Sequence, residues 1–241
     1  MNTLIEDGKF IVHRSPDEPV IDLDVAHLWI CDLDDVLYSG LKDWTVLSTS
    51  ERARAERLKG VLDKRRFVVR CALVRRVLGN LLGITPSEVE FYDDSEGKPR
   101  LLYSSMRQSE QIVRPDFNVS HTENIIALAV AFGREVGIDI EMANPETDML
   151  AVARMQFTVE EFNVLVELST RDRIRMFYLL WTRNEALSKM DGRGIASWHD
   201  GNVPVASGCT FCPFELMLGE KEIIGTLALG ERMEVCEGIA G

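Results

Sequence analysis

The sequence predicts an α+β fold made of two similar α/β halves packed pseudo-symmetrically, and three observations carry that reading. Apolar, β-branched runs bounded by turn residues read as strands over 25–33, 125–132 and 136–141. Helical segments open behind two capping boxes, Ser48-x-x-Glu51 and Thr158-x-x-Glu161, in which each side chain satisfies a free N–H of the first turn. Each box stands 19 residues ahead of a phenylalanine in a second helix, Phe67 and Phe177, and both second helices end in a glycine turn before an isoleucine, Gly83-Ile84 and Gly194-Ile195. This echo reads as an internal duplication. It divides the chain into an N-terminal half, residues 1–115, and a C-terminal half, residues 116–241.

Taken in order, residues 1–24 are polar, with Pro16 and Pro19, and read as a loosely structured lead-in. The strand over 25–33 ends in aspartates. Helix–turn–helix follows over 48–76, with Val69, Leu73 and Val77 facing inward. A short strand over 87–92 leads to a turn holding Gly97-Lys98-Pro99, where the proline fixes the chain direction after the lysine. Residues 108–116 link the halves. Strands over 117–121, 125–132 and 136–141 follow, the last two joined by Gly133-Arg134-Glu135. Thr158 caps the next helix, with Phe157 and Phe162 at the staple positions. A longer helix over 171–189 stops at Asp191-Gly192-Arg193-Gly194, and short strands over 203–212, 215–218 and 223–229 close the chain as an antiparallel sheet edge.

The chain has 241 residues, 46% hydrophobic and 27% charged, an ordinary globular composition with material for a large core. No apolar run reaches the roughly 20 residues of a membrane span. The first residues carry Glu6 and Asp7 and no apolar core, so they are not a secretory signal, and the cytoplasm is the expected compartment. A net charge of −12 argues against general nucleic-acid binding. Residues 51–76 are the local exception, with ten Lys/Arg against three acids. Of the five cysteines, Cys209 and Cys212 form a C-x-x-C, but no second pair or nearby histidine completes a zinc site.

The chemistry concentrates in the second half. Asp139 and Glu141 lie two apart in a strand and project from one face, while Val136, Ile138 and Ile140 point the other way, into a core. Glu185 and Lys189, four apart on a helix, also share a face. Three carboxylates and a lysine suit a phosphate bridged by Mg²⁺, a hard cation held by carboxylates and substrate oxygens. Arg66 and Arg70 share a helical face. They read either as a clamp on an anionic nucleotide or as the solvated side of an amphipathic helix. C-D-L-D-D-V-L-Y, with Asp32 and Asp34, mimics the first motif of haloacid-dehalogenase-type phosphatases. The later acidic pair on offer, Asp93-Asp94, sits among turn formers too soon after it, and a strand whose polar end meets solvent is the plainer account.

These motifs together resemble a 4′-phosphopantetheinyl transferase of the surfactin-synthetase-activating type. The family pattern of G-[VI]-D-[VI]-E, F-[ST]-x-x-E and W-[ST]-x-K-E-A-x-x-K reads here as Gly137 to Glu141, Phe157 to Glu161 and Trp181 to Lys189, with Ser120-His121 and Gly97-Lys98-Pro99 upstream. The resemblance implies transfer of phosphopantetheine from coenzyme A to a carrier-protein serine, releasing adenosine 3′,5′-bisphosphate. It implies Mg²⁺ on Asp139, Glu141 and Glu185, catalysis by Glu185, Lys189 and Asp139, and coenzyme A contacts from Arg66, Arg70, Lys98, Ser120, His121 and Lys189. Two halves in one chain imply a monomer whose cleft needs no second subunit. A non-catalytic binder of coenzyme A or carrier protein is the alternative of a different class. Asn184 departs from the pattern by standing where lysine is usual. A neutral amide there leads to the expectation of weaker coenzyme A binding than a lysine would give.

Overall fold

The strands form where alternating burial can be satisfied on two sides. The computed structural model describes residues 3–5, 10–13, 15–18, 20, 22–35, 44–102, 113–192 and 208–232. Along the chain lie β1 (Thr3–Ile5), β2 (Phe10–His13), β3 (Ala26–Asp32), α1 (Thr49–Arg57), α2 (Val61–Leu82), β4 (Phe91–Asp93), β5 (Pro99–Leu101), β6 (Pro115–Thr122), β7 (Ile125–Phe132) and β8 (Val136–Met142). After these come α3 (Met149–Gln156), α4 (Val159–Glu167), α5 (Thr170–Asp191), β9 (Thr210–Leu218) and β10 (Lys221–Leu229). One sheet runs β1-β2-β3-β7-β6, a second runs β8-β10-β9, and β4 and β5 form a small pair. The architecture is α+β, as expected.

The period of two along each strand builds the layers. Trp29, Cys31, Ile126, Leu128 and Val130 face α2, which brings Val69, Leu73 and Val77 to the same core. Leu28, Ile30, Ala127 and Ala129 face the other way and meet Val136, Ile138, Ile140, Leu227 and Leu229 of the second sheet. That sheet is covered on its far side by α5, through Ala186, Leu187 and Met190 against Ala228. The order is therefore helix, sheet, sheet, helix. Asp139 and Glu141 necessarily fall on the α5 side of β8, because their neighbours in sequence occupy the intersheet core.

Both capping boxes are realised, at Ser48 and Thr158. Each opens a helix of nine residues, and each is followed by one of 22 ending at a glycine in the left-handed region, Gly83 and Gly192. The strand preceding each helix pair is hydrogen-bonded to the second strand of the hairpin that follows it: β3 to β7, and β8 to β10. The hairpin β6–β7 thus belongs with β3. The sheets divide in the turn after Phe132, because the hairpin that begins at Pro115 completes the first sheet. Two further expectations change. The lead-in contributes β2, which pairs in parallel with β3 and buries Phe10 and His13. The last strands merge into one long hairpin, with Pro213 inside edge strand β9. The expected turn at Gly194-Ile195 and strand residues 203–207 lie outside the described residues.

Gly137 decides how closely α5 sits on β8. A Cβ there would fall 2.0 Å from the Ala186 carbonyl oxygen and 2.6 Å from the Met190 nitrogen, both backbone atoms that cannot swing away. Gly137→Ala is expected to destabilise the fold by about 3 kcal/mol, the upper range for overpacking, through forced displacement of α5. Equilibrium urea unfolding measures this, and an unchanged midpoint would contradict the packing argument.

Candidate active site

β8 delivers two carboxylates and α5 delivers a carboxylate and an ammonium to the same side of the second sheet. Lys189 Nζ donates to Asp139 Oδ1 at 2.7 Å and to Ser120 Oγ at 3.1 Å. The Ser120 hydroxyl donates to the same Asp139 oxygen at 2.8 Å. Thr122 donates to Glu141 Oε2 at 3.2 Å. Asp139 is 4% exposed, and its second oxygen, Oδ2, is buried with no hydrogen-bond partner. An orphaned carboxylate oxygen in such a place is costly unless a cation or donor meets it.

Electrostatics follow from this crowding. Burial pushes the Asp139 carboxyl above its usual range, against the pull of Lys189 and Ser120. Burial and then the Asp139 charge raise Glu141, with Thr122 and the Trp181 indole holding it down. Glu185 is raised by burial and by Asp139, and Lys189 opposes both. Three carboxylates that resist ionising, converging from a strand and a helix, form a site that gains from a cation. They do not form a finished cage: among the described residues no three His, Cys, Asp or Glu side chains are gathered closely enough to hold a metal ion. Lys189 stands against Asp139 on that side.

The seam between the sheets positions Ser120. Asp116, Asn118 and Ser120, alternating along β6, accept from the backbone N–H groups of Val136, Ile138 and Ile140 at 2.9, 3.0 and 3.4 Å. Side chains replace the ladder that two adjacent strands would otherwise share. Ser120, expected at coenzyme A, is 4% exposed and committed to Asp139, Lys189 and Ile140. Sequence reading missed this ladder and Thr122; the available signal was polar residues recurring every second position of a strand.

Two cavities flank the seam and share Pro99 and Val119 in their walls. One, of about 1020 Å³, lies between α1, α2 and β4 and includes Arg70, Phe91 and His121. The other, of about 310 Å³, includes Gly97, Asn118, Glu185 and Lys189. Arg70 has no ion pair among the described residues and packs over the Phe67 ring at 5.2 Å. Burial keeps its guanidinium below the usual arginine range. His121 stands beside it, its pKa lowered by partial burial of the ring and by the Arg70 charge. Arg66 is differently placed: it is bound in bidentate fashion by Asp34, with Nε 3.1 Å from Oδ1, so its charge is already matched. Lys98 departs from expectation. Its ammonium is buried and donates to Asp116, Val136 O and Met190 O, which leaves no proton for a phosphate.

The phosphatase reading fails at its own residues. Asp32 accepts from Lys221 at 2.7 Å and from Asn124, and Asp34 is held by Arg66, so both aspartates are structural partners at the end of β3. Asp94 closes a turn and pairs with Arg100. Asn184 also takes an unforeseen role. It is 2% exposed, and its Oδ1 accepts from Arg183, which in turn binds Glu161 at 2.6 Å. Asn184→Lys is therefore expected to lower the melting temperature by placing an ammonium beside a guanidinium in a buried site, with little change in the KM for coenzyme A. Thermal unfolding alongside steady-state kinetics checks this; a lower KM with an unchanged melting temperature would restore the phosphate-binding reading of the position.

A family model described as "4'-phosphopantetheinyl transferase superfamily" matches residues 135–214, and one described as "4'-phosphopantetheinyl transferase, N-terminal" matches 41–132. The chain is 36% identical over 174 residues to the 4'-phosphopantetheinyl transferase HetI of Nostoc sp. (strain PCC 7120), covering 72% of this chain and 71% of that protein. The chain belongs to the 4′-phosphopantetheinyl transferase superfamily. As a 4′-phosphopantetheinyl transferase it is also similar to Sfp of Bacillus subtilis (strain 168), 25% identical over 62% of each chain, and to AcpT of Escherichia coli (strain K12), 31% identical over 42% of this chain and 51% of that one. The two family matches meet in the turn between β7 and β8, where the sheets divide. Among the described residues no helix of this transferase is long and apolar enough to cross a membrane.

Proposed function

We propose that this transferase carries the 4′-phosphopantetheine of coenzyme A to a serine of an acyl or peptidyl carrier protein, with Asp139, Glu141 and Glu185 holding Mg²⁺ at the pyrophosphate. One observation carries the metal assignment: Asp139 Oδ2 is buried without a partner inside a set of hard oxygen donors. When bound there, Mg²⁺ would neutralise pyrophosphate charge and orient it for attack. The protein's own groups do the rest. Lys189 leans on Asp139 and is placed to complement charge on the departing phosphate oxygen. Glu185, whose carboxyl is raised by burial and by the Asp139 charge, takes the serine proton directly or through water. Ser120 and Thr122 fix the carboxylates to which they donate.

The nucleotide then lies along the larger cavity, its phosphates toward Arg70 and His121, with Arg66 a weaker contact because Asp34 already neutralises it. Arg70→Ala is expected to raise the KM for coenzyme A about tenfold with kcat nearly unchanged, the loss of one charge-assisted contact. A drop in kcat at constant KM would place Arg70 elsewhere. The two strand–helix–helix–hairpin units support an origin by duplication and a monomer, since both units of one chain line the smaller cavity; the cytoplasm is the compartment inferred for it. A dimer in sedimentation equilibrium would contradict the monomer.

The experiment is mass spectrometry of apo carrier proteins of fatty-acid, polyketide and nonribosomal-peptide type, incubated with the enzyme, coenzyme A and Mg²⁺. A gain of one phosphopantetheine on at least one carrier, with release of adenosine 3′,5′-bisphosphate, is the predicted result. An enzyme that binds coenzyme A tightly yet modifies none would revive the non-catalytic alternative.

A further inference from the structure

Lys98 is a buried cation with no role in the reaction just described, and its three acceptors are unusual in their placing. Its side chain is 2% exposed. Nζ donates to Asp116 Oδ2 of β6 at 2.8 Å, to the Val136 carbonyl at the start of β8 at 2.9 Å, and to the Met190 carbonyl in the last turn of α5 at 3.2 Å. These are the three elements that build the active site. Each acceptor lies close in sequence to a site residue on the same element: Asp116 four before Ser120, Val136 three before Asp139, Met190 directly after Lys189. The Met190 carbonyl has no partner within its helix, and a cation at a helix C-terminus is favourably placed toward the dipole. An ammonium is a compact donor of three protons, which suits three convergent acceptors; a planar guanidinium does not.

We propose that Lys98 is a positioning residue: its ammonium pins the end of α5 to β6 and β8, and so sets where Glu185 and Lys189 stand relative to Asp139. The loop that bears it is itself anchored, with the Lys98 N–H donating to Asp94 Oδ1 at 2.9 Å. Asp116 is braced from its other oxygen by Arg100 at 3.0 Å. Lys98 thus acts from beneath the site without touching coenzyme A. This inference rests on the assignment of Glu185 and Lys189 to the reaction.

The test compares Lys98→Met and Lys98→Arg by steady-state kinetics per folded molecule, and by hydrogen exchange of residues 186–191. Both variants are expected to lower kcat at least tenfold, the scale of loss when reacting groups are misplaced by about an ångström or less, while the KM for coenzyme A stays within about threefold. Exchange at the end of α5 rises in both. A phosphate contact would instead raise KM in the Met variant and be rescued by Arg, and that outcome overturns the proposal. So does a fall in melting temperature with kcat per folded molecule unchanged, which would make Lys98 a matter of stability alone. Should the Met variant fail to fold, Asp116→Asn removes the ammonium's charged partner while keeping the shape, and the same loss in kcat with retained KM is expected. Exchange is read without turnover. An inactive wild type would therefore defeat the transferase reading and still leave the pinning of α5 decided by its protection.

Discussion

Asp139→Asn is expected to lower kcat about a thousandfold while the fold survives, as loss of a preorganised charge at a reacting phosphate does. The substitution is nearly isosteric, and the amide oxygen can still accept from Ser120 and Lys189 at the place where Oδ1 does now. What changes is the orphaned position: Oδ2 becomes an NH₂, which repels a cation instead of attracting one. Lys189 simultaneously loses its counter-charge. Circular dichroism should be unchanged, and residual transfer is to be measured by mass spectrometry of the carrier. Activity within tenfold of wild type would remove Asp139 from the catalytic assignment.

Glu185→Gln should show the second largest effect, with an opposite sign in stability. The carboxylate is half-buried, no hydrogen bond to it offsets its desolvation among the described interactions, and the Asp139 charge repels it. Removing the charge is expected to raise the melting temperature by a few degrees and to lower kcat by at least about a hundredfold. The pH dependence has a definite sign. Because burial raises the carboxyls of Asp139, Glu141 and Glu185 in the folded chain, the folded state binds more protons than the unfolded one between the ordinary carboxylate range, near about 4, and the raised values. These groups therefore make stability fall as pH rises through that window, and the loss persists above it. The stability difference between Glu185→Gln and wild type should be small below the window, grow across it and then level off. A variant less stable than wild type at neutral pH would show that Glu185 is a structural anion and not a strained functional one.

Much of this was legible from residues alone. Apolar runs placed β3 and β7, alternation placed β8, the two capping boxes placed α1 and α4, and D-x-E with E-x-x-x-K put four charged groups on two faces, of which Asp139 and Lys189 are in contact. Local signals suffice there, because helix caps and apolar runs depend on neighbours in sequence. Other features depended on partners far along the chain. Arg66 is neutralised by Asp34 across 32 residues, and Lys98 is buried by three elements, none adjacent to it. β2 is too short to show a period, and it gains its place by pairing with β3. The alternating polar residues of β6 look like a solvent face, yet they satisfy the backbone of the next sheet. The Asn184 side chain is tied to Arg183 and through it to Glu161 on another helix, a link that a single position in the sequence does not reveal.

Binding of Mn²⁺, a paramagnetic substitute for Mg²⁺, bears most directly on the account, followed by electron paramagnetic resonance in the presence of coenzyme A. Wild-type protein should take up one Mn²⁺, and the Asp139→Asn and Glu185→Gln proteins should each lose most of that affinity while remaining folded. Equal Mn²⁺ uptake by all three proteins would mean that these carboxylates do not share a cation.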